Sequence, residues 1–74
     1  MFKASKKYVI SLTSGKTIIA HCLGTTWDAE KISMQWLFNL NGTEFEVPTQ
    51  EALIILIQQL HGSTIAETKE IPND

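Results

Sequence analysis

The side chains in this sequence that could carry chemistry are few: Cys22, His21, His61, the pair Glu44 and Glu46, and a cluster of lysines near the start. A cysteine nucleophile needs a base that converges on it in space. His21 and Cys22 are neighbours in a stretch that reads as a strand, so their side chains point to opposite faces and form no dyad. Cys22 fits better as a small buried core residue. His61 stands at the end of an expected helix with no carboxylate at a supporting spacing. Glu44 and Glu46 share one face of a strand, about 6–7 Å apart. Without a cleft around them they read as a solvated pair. One cysteine and two histidines are a poor ligand set for structural zinc, and no glycine-rich phosphate loop occurs. The reading is of a protein that is not an enzyme, with no catalytic residue, cofactor or metal assigned.

Charge narrows the partners. Six basic residues stand against eight acidic ones, net −2, and all six basic residues are lysines. Arginine supplies the forked contacts that read guanine edges and clamp phosphates, and this chain has none. Lys3, Lys6 and Lys7 cluster near the N-terminus, where a solvated segment is the default. A rival reading makes them, with Lys16, the phosphate contacts of a small nucleic-acid-binding protein. Trp36 and Phe38 could then stack on bases, but they lie on the most apolar face, where a core is expected. The longest apolar run is six residues, Ala52 to Ile57, against the roughly 20 a membrane span needs. "MFKASKKYVISL" lacks the apolar stretch of a signal peptide, since Lys6 and Lys7 interrupt it. A cytoplasmic protein away from the membrane is expected, and Asn41-Gly42-Thr43 is then a turn and not a glycosylation site.

A chain of 74 residues buries only about 60% of the surface its unfolded state exposes. A single cysteine allows no intramolecular disulfide, so burial against a partner is the remaining source of extra stability.

The positioning elements follow from periodicity. Residues 7–23 read as a β-hairpin with a bulged three-residue loop, Thr13-Ser14-Gly15. That loop pairs Leu12 with Lys16, Ile10 with Ile18 and Tyr8 with Ala20. The drier face carries Tyr8, Ile10, Leu12, Ile18, Ala20 and Cys22, and the other carries Val9, Ser11, Thr17, Ile19, His21 and Leu23. Residues 32–47 form a second hairpin around Asn41-Gly42, the strongest short turn signal. Its register sets Leu40 against Thr43, Phe38 against Phe45 and Trp36 against Val47. A helix over 28–38 would break this hairpin. "GTTWDAEK" between the hairpins reads as a polar connection whose Trp27 either packs over an end of the sheet, the favoured reading as a lid on the core, or stands exposed.

Pro48 ends the second hairpin. Thr49 is the expected N-cap, Glu51 suits the positive helix end, and Gly62 is the expected stop for a helix over 50–61. The predicted architecture is therefore α+β, a four-stranded antiparallel sheet from two consecutive hairpins with one C-terminal helix on one face (ββββα). Residues 1–74 are expected as one domain, folded over about 6–62, with 63–74 a flexible tail.

At about 100° per residue, Leu53, Leu56, Ile57 and Leu60 share the sheet-facing arc. Ile54 lies about 110° and Ile55 about 150° from its centre, beside neutral Gln58 and Gln59. The second sheet face adds Val9, Ile19 and Leu37, too apolar for a fully solvated surface. These residues and Trp27 are the predicted partner-binding set. The function expected is a small non-catalytic protein-binding module that regulates or inhibits a larger partner. It could itself be homodimeric. An accessory subunit stable only in its complex is a further alternative. The plan suits small inhibitor and adaptor proteins of phages and mobile elements, an analogy of size and fold.

Overall fold

The computed structural model describes residues 1–72. Strands β1 (Lys7–Leu12), β2 (Thr17–Asp28), β3 (Ser33–Leu40) and β4 (Thr43–Val47) precede helix α1 (Gln50–His61), and strand β5 (Ile65–Ile71) follows it. They form one antiparallel sheet in the order β4-β3-β2-β1-β5. The fold is thus α+β, as expected, but the sheet has five strands and the helix is not C-terminal. The residues after Gly62, expected as a flexible tail, cross back to pair with the free edge of β1, from Leu12 opposite Ile65 to Lys7 opposite Ile71. Residues 73 and 74 lie outside the described residues. No helix among the described residues is long and apolar enough to cross a membrane.

Both hairpin registers match the apolar pattern. Tyr8 faces Ala20 and Ile10 faces Ile18, and the Leu12 amide donates to the Lys16 carbonyl at 2.8 Å to close the bulged turn. Phe38 faces Phe45 and Trp36 faces Val47 across the second turn, where Asn41 and Gly42 both take positive φ. The helix begins where expected, with Thr49 Oγ1 accepting from the Ala52 amide at 3.0 Å. It stops at Gly62, whose left-handed backbone donates to the Gln58 carbonyl.

The core lies between the helix and the face bearing Tyr8, Ile10, Leu12, Ile18, Ala20, Cys22 and Phe38, all buried. Leu53 and Ile57 seal it from the helix, and Ala52, Ile54 and Leu56 pack at its border. Leu60, expected in the sheet-facing stripe, is exposed instead. Its turn lies by the β1–β2 turn, where Thr13 and Ser14 hydrogen-bond to Ser63 and Thr64 and offer only short polar side chains.

Two features fall outside the expected plan. First, the N-terminus plugs one end of the core. Phe2 is buried, edge-on to Tyr8 at 4.9 Å and to Phe38 at 5.5 Å. The Gln50 amide clasps its backbone, accepting from Phe2 N at 2.9 Å and donating to Phe2 O at 2.8 Å. Second, β2 does not end near Leu23. "GTTWD" continues the strand to Asp28, so the polar connection shrinks to the turn at residues 29–32. The β2–β3 register shifts between Cys22 and Gly24, which makes Leu23 the extra residue of a β-bulge. Gly24 there has φ of +103°, a conformation that side chains with a Cβ rarely adopt. A bulge raises local twist and bends the strand, and this one falls between the half of β2 that covers the core and its distal half.

Candidate functional site

Of the residues with chemical potential, Cys22 is buried in the core and His21 is half-buried on the opposite face. Burial pushes the Cys22 thiol up, and a hydrogen bond with the Gly24 backbone only partly offsets this, so the thiolate is disfavoured. Among the described residues no group of three His, Cys, Asp or Glu side chains is placed to hold a metal ion. A broad, open depression of about 560 Å³ is lined by Thr13, Ser14, Gln58, Gly62, Ser63 and Thr64. It offers hydroxyls and an amide but no base, so it can hydrogen-bond but has nothing to activate a nucleophile.

The long β2–β3 hairpin brings together side chains that the sequence does not pair. Glu46 was expected as the solvated companion of Glu44, yet its side chain hydrogen-bonds with Asp28. Glu46 lies opposite Leu37 and Asp28 opposite Ser33, so this contact reaches across β3 on the face away from the helix. Between them on that face is Gln35, only 2% exposed. Its Nε2 donates to Ser33 Oγ at 2.7 Å and to the Met34 carbonyl at 3.2 Å. Its buried Oε1 has no hydrogen-bond partner among the described residues. Asp28 also organises the turn, with Oδ1 accepting from the Glu30 and Lys31 amides at 2.9 and 3.2 Å.

The shared hydrogen bond, its largest cause, lowers Asp28 and raises Glu46; when the pair carries a single proton, Glu46 holds it. The stabilisation from Asp28 is present above its ordinary value and lost as pH falls through its lowered one. That from Glu46 is present below its ordinary value and lost as pH rises through its raised one. Both are complete only between the ordinary values of 3.8 and 4.5. Glu46→Gln keeps a donor for Asp28 at every pH. Melting curves across pH 3–8 should therefore show the wild type losing ground to this variant above the raised Glu46 value. Parallel curves would contradict the shared hydrogen bond.

On the helix side of the same hairpin, beyond the helix, Trp27 faces Met34 across the strands. Trp27 is 57% exposed and Met34 53%. Trp27 is therefore not the lid expected from sequence, because the strand that carries it runs past the core. The turn beside it ends on Ile32, 77% exposed at φ of +52°. A β-branched residue in the left-handed region is a backbone outlier, costing of order 1–3 kcal/mol.

The remaining predicted site residues fall on two opposite surfaces. Val9, Ile19 and Leu37 lie on the helix-free face of the sheet, Val9 and Leu37 half-buried and Ile19 43% exposed. Ile55 and Gln59 are exposed on the helix, Gln58 is half-buried there, and Ile54 packs against the core. These two sets cannot meet one flat partner surface together, and Trp27 belongs to neither. Met34, opposite Trp27, and Ile32, at the end of the adjoining turn, were missed. The signal was present, because Thr25, Thr26 and Trp27 all favour strands and extending the strand sets Trp27 against Met34.

The fold and these surfaces define a small α+β layer of five strands and one helix with apolar side chains left outside its core. No protein-family model matches the chain, and no curated protein or solved structure matches it.

Proposed function

We propose that this chain is a small non-catalytic protein-binding module that engages a larger partner through the tip of its β2–β3 hairpin. The observation that carries the reading is the Trp27–Met34 pair, each more than half exposed, beside an exposed Ile32 held at positive φ. Exposed single apolar residues are ordinary, but three large ones grouped on one projecting hairpin mark an interaction site. Tryptophan is among the residues that dominate binding energy when they enter a partner's pocket. Strain at a turn persists where the surroundings enforce it, and such strain clusters at functional sites. The buried, protonated thiol and the base-free depression support the non-catalytic part.

Affinity capture from the native host, read by mass spectrometry, tests this. A double variant, Trp27→Ala with Met34→Ala, is expected to weaken capture of the partner by roughly 30-fold or more, the loss of one strong anchor. Ile55→Glu on the helix should capture it as the wild type does. Undiminished capture by the double variant sinks the reading.

A further inference from the structure

The helix covers one face of the sheet and leaves the other bare. The molecule measures 37 × 33 × 20 Å, and its thin dimension is that of one sheet and one helix layer. On the bare face Val9 and Ile19 form one apolar patch and Leu23 and Leu37 another, with His21 and Asn39 in the row between them, and charges flank the face unevenly. Glu44 and Glu46 stand on β4, while Lys7 and Lys69 stand on β1 and β5 at the other side, where Glu67 accompanies Lys69 at 3.5 Å. The middle strand of the five is β2.

We propose that this face is a self-association surface, on which a second copy of the chain packs about a two-fold axis running along β2. An axis in that direction lays β4 of one copy over β5 of the other, so Glu44 comes over the row of Lys7 and Ile71, two residues along the strand from Lys69. A two-fold axis across the strands would lay each strand over its own counterpart, glutamate against glutamate, and like charges brought together cost binding energy. The charges on the flanking strands select the first axis; of the β2 residues it lays over their own copies, Asp28 is already held by the Glu30 and Lys31 amides and by Lys31 at 3.9 Å. The two apolar patches then meet their own copies in a sandwich of two aligned sheets about 10 Å apart, with His21 between them and both helices outside. A stable dimer needs about 800 Å² from each partner, which a face of 37 × 33 Å can supply. Edge-to-edge pairing is the competing route to a dimer, and both edges are blunted against it. The β4 strand is five residues long with Pro48 after it, and β5 exposes Glu67, Lys69 and Glu70. Charges, proline and shortness are the usual protection of a sheet edge. The Trp27 tip is a separate surface, so neither proposal depends on the other.

Sedimentation equilibrium of the full chain should show a dimer. Ile19→Glu, which places a charge at the centre of the sandwich, should weaken it about 100-fold while the far-ultraviolet circular dichroism stays that of the wild type. The axis is tested by a thiol-reactive cross-linker of about 10 Å span. Mixed Glu44→Cys and Lys69→Cys chains should link to each other, and Glu44→Cys alone should not link to itself. A monomeric wild type at several hundred micromolar overturns the dimer, as does an Ile19→Glu variant that dimerises normally. Self-linking of Glu44→Cys without linking to Lys69→Cys overturns the axis.

Discussion

Ending the chain at Gly62 is expected to lower the melting temperature by roughly 10–25 °C, as read by circular dichroism. The cut removes β5, and with it every ladder hydrogen bond on one side of β1. It also removes the Thr13 amide's bond to the Thr64 carbonyl at 2.9 Å and the hydroxyl contacts between Thr13 and Ser63. Ile65, which packs against the core opposite Leu12, goes as well. Burying such a side chain contributes about 1.5–3 kcal/mol, and each lost hydrogen bond about 0.5–1.5 kcal/mol net. The ordering entropy of a mostly polar strand, recovered on cutting, offsets part of this. A net loss of about 2–4 kcal/mol gives the stated shift, since a domain of this size melts 4–8 °C lower for each kcal/mol. Strand β1 carries Tyr8, Ile10 and Leu12 into the core, so its loosening reaches the whole molecule. A truncated chain melting within a few degrees of the full one would mean that β5 contributes no net stability.

Phe2→Ala is expected to cost about 3–5 kcal/mol, the usual range for truncating a buried phenylalanine, and to lower the melting temperature by 15 °C or more. Phe2 fills the space between the Tyr8 and Phe38 rings, and the Gln50 clasp fixes its backbone so that the segment cannot close the gap freely. Total stability for a domain of this length is about 4–11 kcal/mol, so the variant stands near the edge of folding. Phe2→Leu, which keeps most of the volume, should recover the larger part of the loss. An alanine variant as stable as the wild type would show that the N-terminal residues dock on the core without stabilising it.

These two expectations concern the parts of the fold that the sequence hid. The hairpin registers and the helix boundaries were readable because each is specified locally. Alternating apolar residues fix a strand's face, Asn41-Gly42 fixes a turn, and Thr49 and Gly62 fix the helix ends. Strand β5 was not readable because it is specified from outside. Five of its seven residues, Ala66 to Glu70, are exposed, so its pattern is that of a polar tail. Its cause is the unpaired edge of β1, which only the assembled sheet reveals. Phe2 is isolated among lysines and polar residues, with no periodicity to mark it as core. The Asp28–Glu46 contact needs the bend at Leu23 and Gly24, and residues so far apart in sequence meet only because β2 runs past the core. The tip was half legible: Trp27 stood out, but its neighbours did not until the strand was extended.

Cross-linking in place tests most directly whether a larger protein binds at the Trp27–Met34 tip. A photoreactive phenylalanine at position 34, expressed in the native host and illuminated, should yield one discrete adduct of higher mass than two copies of the chain. The same group at exposed Glu51 on the helix should yield none. An absence of any adduct from position 34, or the same adduct from both positions, would contradict the account.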